Sequence, residues 1–254
     1  MIPLYVRLTL VRWMFRSLRA LGKKTVNYGL ASGGQMVLDT TDTCAQIRCE
    51  QAFEPAVRRE ITRIASRRIN VVDIGANVGY YSITAARLIG SEKRVFSFEP
   101  QERVVGKLRR NIELNALSNV VVFPFALADA PGNVTFYVPT EGQEGLGSMR
   151  ANGRFAVAKT VEVEARRLDD VLATLGNPEI GLVKMDAEGA EILILRGATR
   201  LLASANKPSL IFEANEANCK PFGYCVFDLL QYIYSFGYRL RQLDTENWIA
   251  ESQT

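Results

Sequence analysis

The 254-residue sequence predicts an α/β protein built on a mostly parallel sheet. Three observations carry that expectation. From residue 71 onward, strand-like runs alternate with helix-like stretches, as they do where helical crossovers join parallel strands. GLVKM (181–185) reads as a buried strand. YRLRQL (238–243) and WIAE (248–251) flank a DTEN turn and read as an antiparallel hairpin that closes the sheet.

Taken in order, residues 4–23 fit a helix. At about 100° per residue, Arg12, Arg16, Arg19 and Lys23 share one face, and Leu10, Val11, Trp13, Met14, Phe15, Leu18 and Leu21 cover most of the other. Residues 25–50 read as irregular apart from a short strand, GQMVLD (34–39). Residues 54–68 form a helix, with Pro55 early and Val57, Ile61 and Ile64 at helical spacing. Then come VVDI (71–74), a helix from Tyr80 to Ile89, RVFSF (94–98), a helix from Arg103 to Leu117, and NVVVFPFA (119–126). NVTFYV (133–138) and TVEVEA (160–165) alternate with period two. A short helix runs from Leu168 to Leu175 and a long one from Ala187 to Leu202. SLIFEA (209–214) is a strand, and the helix from Val226 to Phe236 stops at Gly237.

Composition narrows the chemistry. A 48% hydrophobic content supports one sizeable core. No apolar run approaches the roughly 18–20 residues of a membrane span. The net charge of +4 is unevenly placed: residues 1–24 carry six basic residues and no acid, leaving 25 basic and 27 acidic residues, or −2, in the rest. The high pI is therefore no sign of nucleic-acid binding. Cys44, Cys49, Cys219 and Cys225 lack the spacing of zinc sites and read as free thiols in a reducing compartment. There is no histidine, which excludes Ser-His and Cys-His nucleophiles and leaves acid–base work to carboxylates, Lys, Tyr or Cys.

The turn after VVDI is Asp73-Ile-Gly75-Ala76-Asn77-Val-Gly79. It lies where the first strand of the alternating region meets its helix, at the carboxyl edge where open parallel sheets bind ligands. The dinucleotide pattern G-x-G-x-x-G fails, because Asn77 and Tyr80 stand where its second and third glycines would fall. A carboxylate before the loop repels a pyrophosphate and favours a cationic ligand such as S-adenosylmethionine. Glu99, at the end of the next strand, suits a pair of ribose hydroxyls.

DIGANVGYYS, FEP, KMDAEGAE (184–191) and LIFEA, with NIELNAL and LDDVL between them, resemble the FkbM family of S-adenosylmethionine-dependent methyltransferases. The resemblance spans about residues 35 to 243 and excludes the N-terminal helix. It implies a Rossmann-like, seven-stranded class I methyltransferase sheet with a C-terminal antiparallel hairpin. It further implies that Asp73, Gly75, Ala76, Asn77 and Gly79 cradle the amino-acid end of the cofactor, that Glu99 holds the ribose, and that Ala128 and Asp129 lie near the adenine. Residues 1–34 are then a basic helix and linker, and 35–254 a methyltransferase domain with its core at 71–243.

For catalysis, Asp186 follows a buried strand and emerges at the same sheet edge as Asp73. Glu188 and Glu213 are further candidates for proton removal or for holding a substrate hydroxyl. Glu191 reads as structural; Lys184 can lie beneath the edge and pair with a carboxylate, and its role is left open. The Gly-rich loop 139–155 has the length of a functional loop, and Ser148, Arg150 and Arg154 are its candidate acceptor contacts. No metal site is assigned, and a divalent cation at these carboxylates ranks below proton removal.

The expected activity is O-methylation of a sugar, glycan, glycolipid or natural-product hydroxyl. The alternatives are N-methylation, as of nucleic acid, and an inactive scaffold. Expected partners are a small-molecule or glycan acceptor and no nucleic acid, with a homo-oligomer left open. The expected location is cytoplasmic, the basic helix resting on a membrane surface, on the body or on a partner subunit.

Overall fold

The computed structural model describes residues 13–30, 33–41, 54–140, 143–151 and 153–252. The first half of the expected N-terminal helix, Cys44 and Cys49 lie outside them. The chain begins with helix α1 (residues 13–20), followed by β1 (Thr25–Gly29) and β2 (Gln35–Asp39), an antiparallel pair where the sequence suggested one strand. The boundary drawn at residue 34 falls in the turn of this hairpin. Asn111 receives the Val37 N–H at 2.8 Å and so ties the hairpin to the domain. Phe15 of α1 is fully buried with Met36, Leu38 and Ile83, whereas Trp13 and Leu21 stand in solvent. The single apolar face read from the sequence is thus divided between the core and the surface.

Helix α2 (Pro55–Ala65) turns Val57, Ile61 and Ile64 inward, the three positions at helical spacing. The main alternation follows: β3 (Asn70–Ile74), α3 (Tyr80–Ile89), β4 (Val95–Phe98), α4 (Glu102–Leu114) and β5 (Val120–Phe123). The chain then leaves the main sheet. β6 (Ala126–Leu127), β7 (Gly132–Pro139) and β8 (Val157–Arg166) form a separate three-stranded sheet in the order β6-β8-β7. The expected single strand 119–126 is therefore two strands in two sheets.

Helix α5 (Leu168–Thr174) leads into β9 (Ile180–Met185). The long helix expected from Ala187 is a loop followed by two short helices, α6 (Glu191–Arg196) and α7 (Thr199–Leu202). The loop is bent because Gly189, at φ +100°, presses against the Asn218 carbonyl; a Cβ there would sit 2.1 Å from that oxygen. After β10 (Ser209–Glu213), α8 (Glu216–Cys219) and α9 (Val226–Ser235), the hairpin of β11 (Tyr238–Gln242) and β12 (Asn247–Ser252) closes the sheet.

The main sheet has the order β11-β12-β10-β9-β3-β4-β5, with β12 antiparallel to both neighbours and the β10-to-β5 run parallel. Side-chain alternation splits the core in two. Val72, Ile74, Val183 and Met185 face one layer, and Val71 and Leu182 the other. Asp73 and Lys184 are in register on neighbouring strands and stand on the second face.

Candidate active site

The carboxyl ends of β3, β4, β9 and β10 open into a cavity of about 340 Å³, within the range of roughly 300–1,000 Å³ common for small-molecule sites. One end of it is apolar, built from Phe98, Phe125, Leu127 and Phe136. Phe98 stacks on Phe123 at 4.8 Å and meets Phe125 edge-on at 5.8 Å. The other end is acidic, with Asp186, Glu188, Glu213 and Glu246 on its wall.

The glycine loop lies between these ends. Gly75 sits at φ +73° and a Cβ would fall 1.9 Å from the Asp186 carbonyl. Its glycine is therefore demanded by the approach of two strand ends, while its backbone still lines the cavity. Gly79 likewise makes room for Leu108. Asn77 occupies the left-handed region at φ 49°, which its short polar side chain tolerates by accepting the Val78 N–H at 2.7 Å. The Asn77 N–H donates to Glu99 Oε2 at 3.0 Å and the Gln101 N–H to Oε1 at 3.0 Å. The Gln101 side chain hydrogen-bonds the same carboxylate, whose two oxygens offer about four acceptor positions, so room remains for a ligand hydroxyl. Burial pushes the Glu99 pKa up to about 7, against the pull of the two backbone donors and the Gln101 side chain.

Asp73 is placed differently from the expectation that it points at the ligand. It is buried behind the loop rather than on the cavity wall, with Oδ2 accepting the Ser82 hydroxyl at 2.6 Å and Oδ1 without a hydrogen-bond partner. Burial raises its pKa, and the Lys184 charge opposes this. Lys184 donates to Asp186 Oδ2 at 3.2 Å and lies 5.0 Å from the Tyr81 ring centroid. Burial works against its charge, and Asp186, Asp73 and Glu54 outweigh that effect, so its pKa rises. Asp186 is thus the carboxylate partner of Lys184, whose role the sequence left open.

Ala128 and Asp129 are not on the cavity wall, and Asp129 is exposed. The chain has left the main sheet by Phe125, so Phe125, Ala126 and Leu127 occupy the place expected of those two residues.

Asp186, Glu188 and Glu213 come together, with carboxylate oxygens within 4.8 Å of one another. Glu188 is held at φ 51°, a left-handed conformation uncommon for glutamate, and this turns its carboxyl toward Asn218 and Arg154. Arg154 meets Glu188 at 3.2 Å and Glu213 at 3.7 Å, while Asn218 donates to both, at 2.9 and 3.1 Å. One guanidinium does not neutralise this cluster. Burial first, and the Asp186 charge second, raise the pKa of Glu188 to about 8 and that of Glu213 to about 10. Burial and the shared negative charge thus bias both carboxyls toward the protonated form. Glu191 stands apart, its Oε1 accepting the Ala187 N–H at 2.8 Å, which fastens the loop to α6.

The loop after β7 folds onto the cavity through Gly145, Leu146, Gly147, Met149 and Arg154. Ser148 is fully buried and donates to the Glu188 carbonyl at 2.9 Å, so it anchors the loop and is absent from the wall. Arg150 is exposed and lies 5.8 Å from the Phe222 ring centroid, leaving Arg154 as the arginine that reaches the site. Glu54, Tyr81 and Glu246 were not singled out in the sequence. Glu54 accepts the Tyr81 hydroxyl, and Glu246 accepts from Asn215. Nothing in the local spacing of these residues shows that distant segments meet here.

The family model described as Methyltransferase FkbM domain matches residues 73–240. The chain belongs to the FkbM methyltransferase family. Over 134 residues it is 27% identical to the hexuronic acid methyltransferase AglP of Haloferax volcanii, covering 53% of this chain and 52% of that one. Over 160 residues it is 28% identical to the 2-O-methyltransferase NoeI of Sinorhizobium fredii, covering 58% and 64%. The chain thus spans about half to two thirds of the length of these relatives. The cofactor-bound structure of Rv0187 from MTB has a similar fold, with a TM-score of 0.50 at 16% identity, covering 76% of this chain and 78% of that one.

As an FkbM domain, this is an S-adenosylmethionine-dependent methyltransferase domain, and the cavity fits that cofactor. Glu99 would hold the ribose hydroxyls, and the Phe98–Phe125 end would take the adenine. The glycine loop and the amino end of α3 would receive the methionine end of the cofactor, its carboxylate on the free N–H groups and its ammonium on the side favoured by the buried acid Asp73. The Glu99→Gln variant is expected to bind S-adenosylmethionine roughly ten- to thirtyfold more weakly, the loss of one charge-assisted contact. Native affinity should also fall as pH drops through about 7, when Glu99 gains a proton, and the variant should not show that fall. Calorimetric titration from pH 5.5 to 8.5 checks both; equal affinity for the variant at pH 8 would remove Glu99 from the ribose site.

Proposed function

We propose that this domain moves a methyl group from S-adenosylmethionine to a hydroxyl oxygen of a sugar, glycan, glycolipid or natural product. The observation that carries the reading is the convergence of Asp186, Glu188 and Glu213 beneath Arg154, at the end of a cavity whose other end suits the cofactor. S-adenosylmethionine brings an electrophilic methyl on a sulfonium, a leaving group that needs no protonation. The protein must then hold the acceptor in line and take its proton. Protonated Glu188 and Glu213 would donate to neighbouring acceptor oxygens, and Arg154 would cover them. Asp186, 31% exposed at its side chain and braced by Lys184, would receive the hydroxyl proton. The two relatives, a hexuronic acid methyltransferase and a 2-O-methyltransferase, support a sugar acceptor and oxygen as its methylated atom.

The test is transfer from methyl-labelled S-adenosylmethionine into a host extract separated into glycans, lipids, small molecules, nucleic acid and protein. Label is expected in glycan, lipid or small-molecule material, on an ether that survives mild base. Label confined to nucleic acid would refute the proposed acceptor class, and a base-labile methyl ester would refute the hydroxyl reading.

A further inference from the structure

Helix α1 carries a feature that methyl transfer does not use. Phe15 fastens it to the core, yet Trp13 is 69% and Leu21 76% exposed, with Met14 beside them at the surface. The charged side chains around them, Arg16, Arg19, Lys23 and Lys24, are all cationic and all exposed. Residues 1–24 hold six positive charges and no negative one, while the rest of the chain is slightly acidic.

We propose that helix α1 and the residues after it to Lys24 dock the protein on an anionic lipid bilayer. Each half of the pattern has a use there. Arginine and lysine are drawn to the negative surface potential, and tryptophan and leucine enter the boundary between headgroups and acyl chains, where tryptophan is favoured. A nucleic acid would use the cations but not the apolar side chains, and the acidic body would oppose it. Phe15 gives the contact a rigid footing, since the helix is already attached to the domain before it meets lipid. The attachment is peripheral: among the described residues no helix is long and apolar enough to cross a membrane. The proposal stands independently of the acceptor, although a bilayer-docked enzyme is well placed for a lipid-linked one.

The test is co-sedimentation of the full chain with two kinds of vesicle, phosphatidylcholine alone and phosphatidylcholine with about 30% phosphatidylglycerol. Binding is expected only to the second, weakening as salt rises. The Trp13→Ser/Leu21→Ser variant alters two solvent-facing side chains and should keep its melting temperature while binding these vesicles at least roughly tenfold more weakly. Arg16→Gln/Arg19→Gln should flatten the salt dependence. In a Trp248→Phe background Trp13 is the sole tryptophan, and its emission should shift to the blue on anionic vesicles. Equal binding to both vesicle types, unaltered binding by the Trp13/Leu21 variant, or displacement of the protein from vesicles by transfer RNA would overturn the proposal. So would self-association through this face without vesicle binding.

Discussion

The Asp186→Asn variant is expected to transfer methyl groups roughly 10²- to 10⁴-fold more slowly than the native chain, the usual worth of a positioned general base. Its affinity for S-adenosylmethionine should stay within a few-fold. The substitution keeps the shape of the side chain and removes its charge. Two consequences separate a role in proton transfer from a merely structural one. Lys184 loses its contact at 3.2 Å but still faces Asp73 across the β3–β9 register, so the chain should fold. The carboxyls of Glu188 and Glu213 also lose the charge that helps to raise their pKa values. Any residual activity should therefore peak at lower pH. Single-turnover transfer, cofactor titration and a melting curve on the same preparation test this. An unchanged single-turnover rate would remove Asp186 from the reaction.

The parts of this site that were legible in the sequence are those where one strand end determines the placement. The turn at Gly75 to Gly79, Glu99 after β4, Asp186 after β9 and Glu213 at the end of β10 all close apolar runs that end at the same sheet edge. Alternation along β9 set Lys184 apart from Val183 and Met185, but its place beside Asp73 and its pairing with Asp186 come from the strand register. What escaped depends on tertiary contact. No local pattern shows that the chain leaves the main sheet at Phe125, because Phe123, Phe125 and Ala126 continue an apolar run. That departure is what moves the cavity wall away from Ala128 and Asp129. Helical propensity from Ala187 onward gave no hint of the bend at Gly189, which exists to fit the Asn218 carbonyl. Arg154 could be suspected only as one basic residue among several in a glycine-rich loop. Its selection over Arg150 is made by Ser148, which pins the loop to the Glu188 backbone.

The Glu213→Gln variant is expected to gain stability over the native chain as pH rises, by roughly 1–3 kcal/mol between pH 6 and pH 9. Burial and the neighbouring acids raise the folded-state pKa of Glu213 to about 10, from an ordinary value near 4.5. Between those two values the folded chain binds a proton that the unfolded chain has released. Stability from this group is therefore fully present below about pH 4.5 and declines as pH rises toward 10. Glu188 adds a similar decline ending near pH 8. Glutamine has the shape of the protonated acid and carries no such linkage, so its advantage widens with pH. The expected gain is smaller than the shift alone implies, because Arg154 stands 3.7 Å from Glu213 and water reaches part of the site. Urea unfolding of both proteins at several pH values measures the difference; parallel stability curves would mean that Glu213 titrates as an ordinary carboxyl. The same argument links stability to catalysis. Confining three carboxyls in one crevice costs the fold increasingly at alkaline pH, and an acceptor that hydrogen-bonds Glu188 and Glu213 in their protonated forms should hold their pKa values up. Acceptor binding should therefore weaken above about pH 8, even where Asp186 remains competent to take the proton.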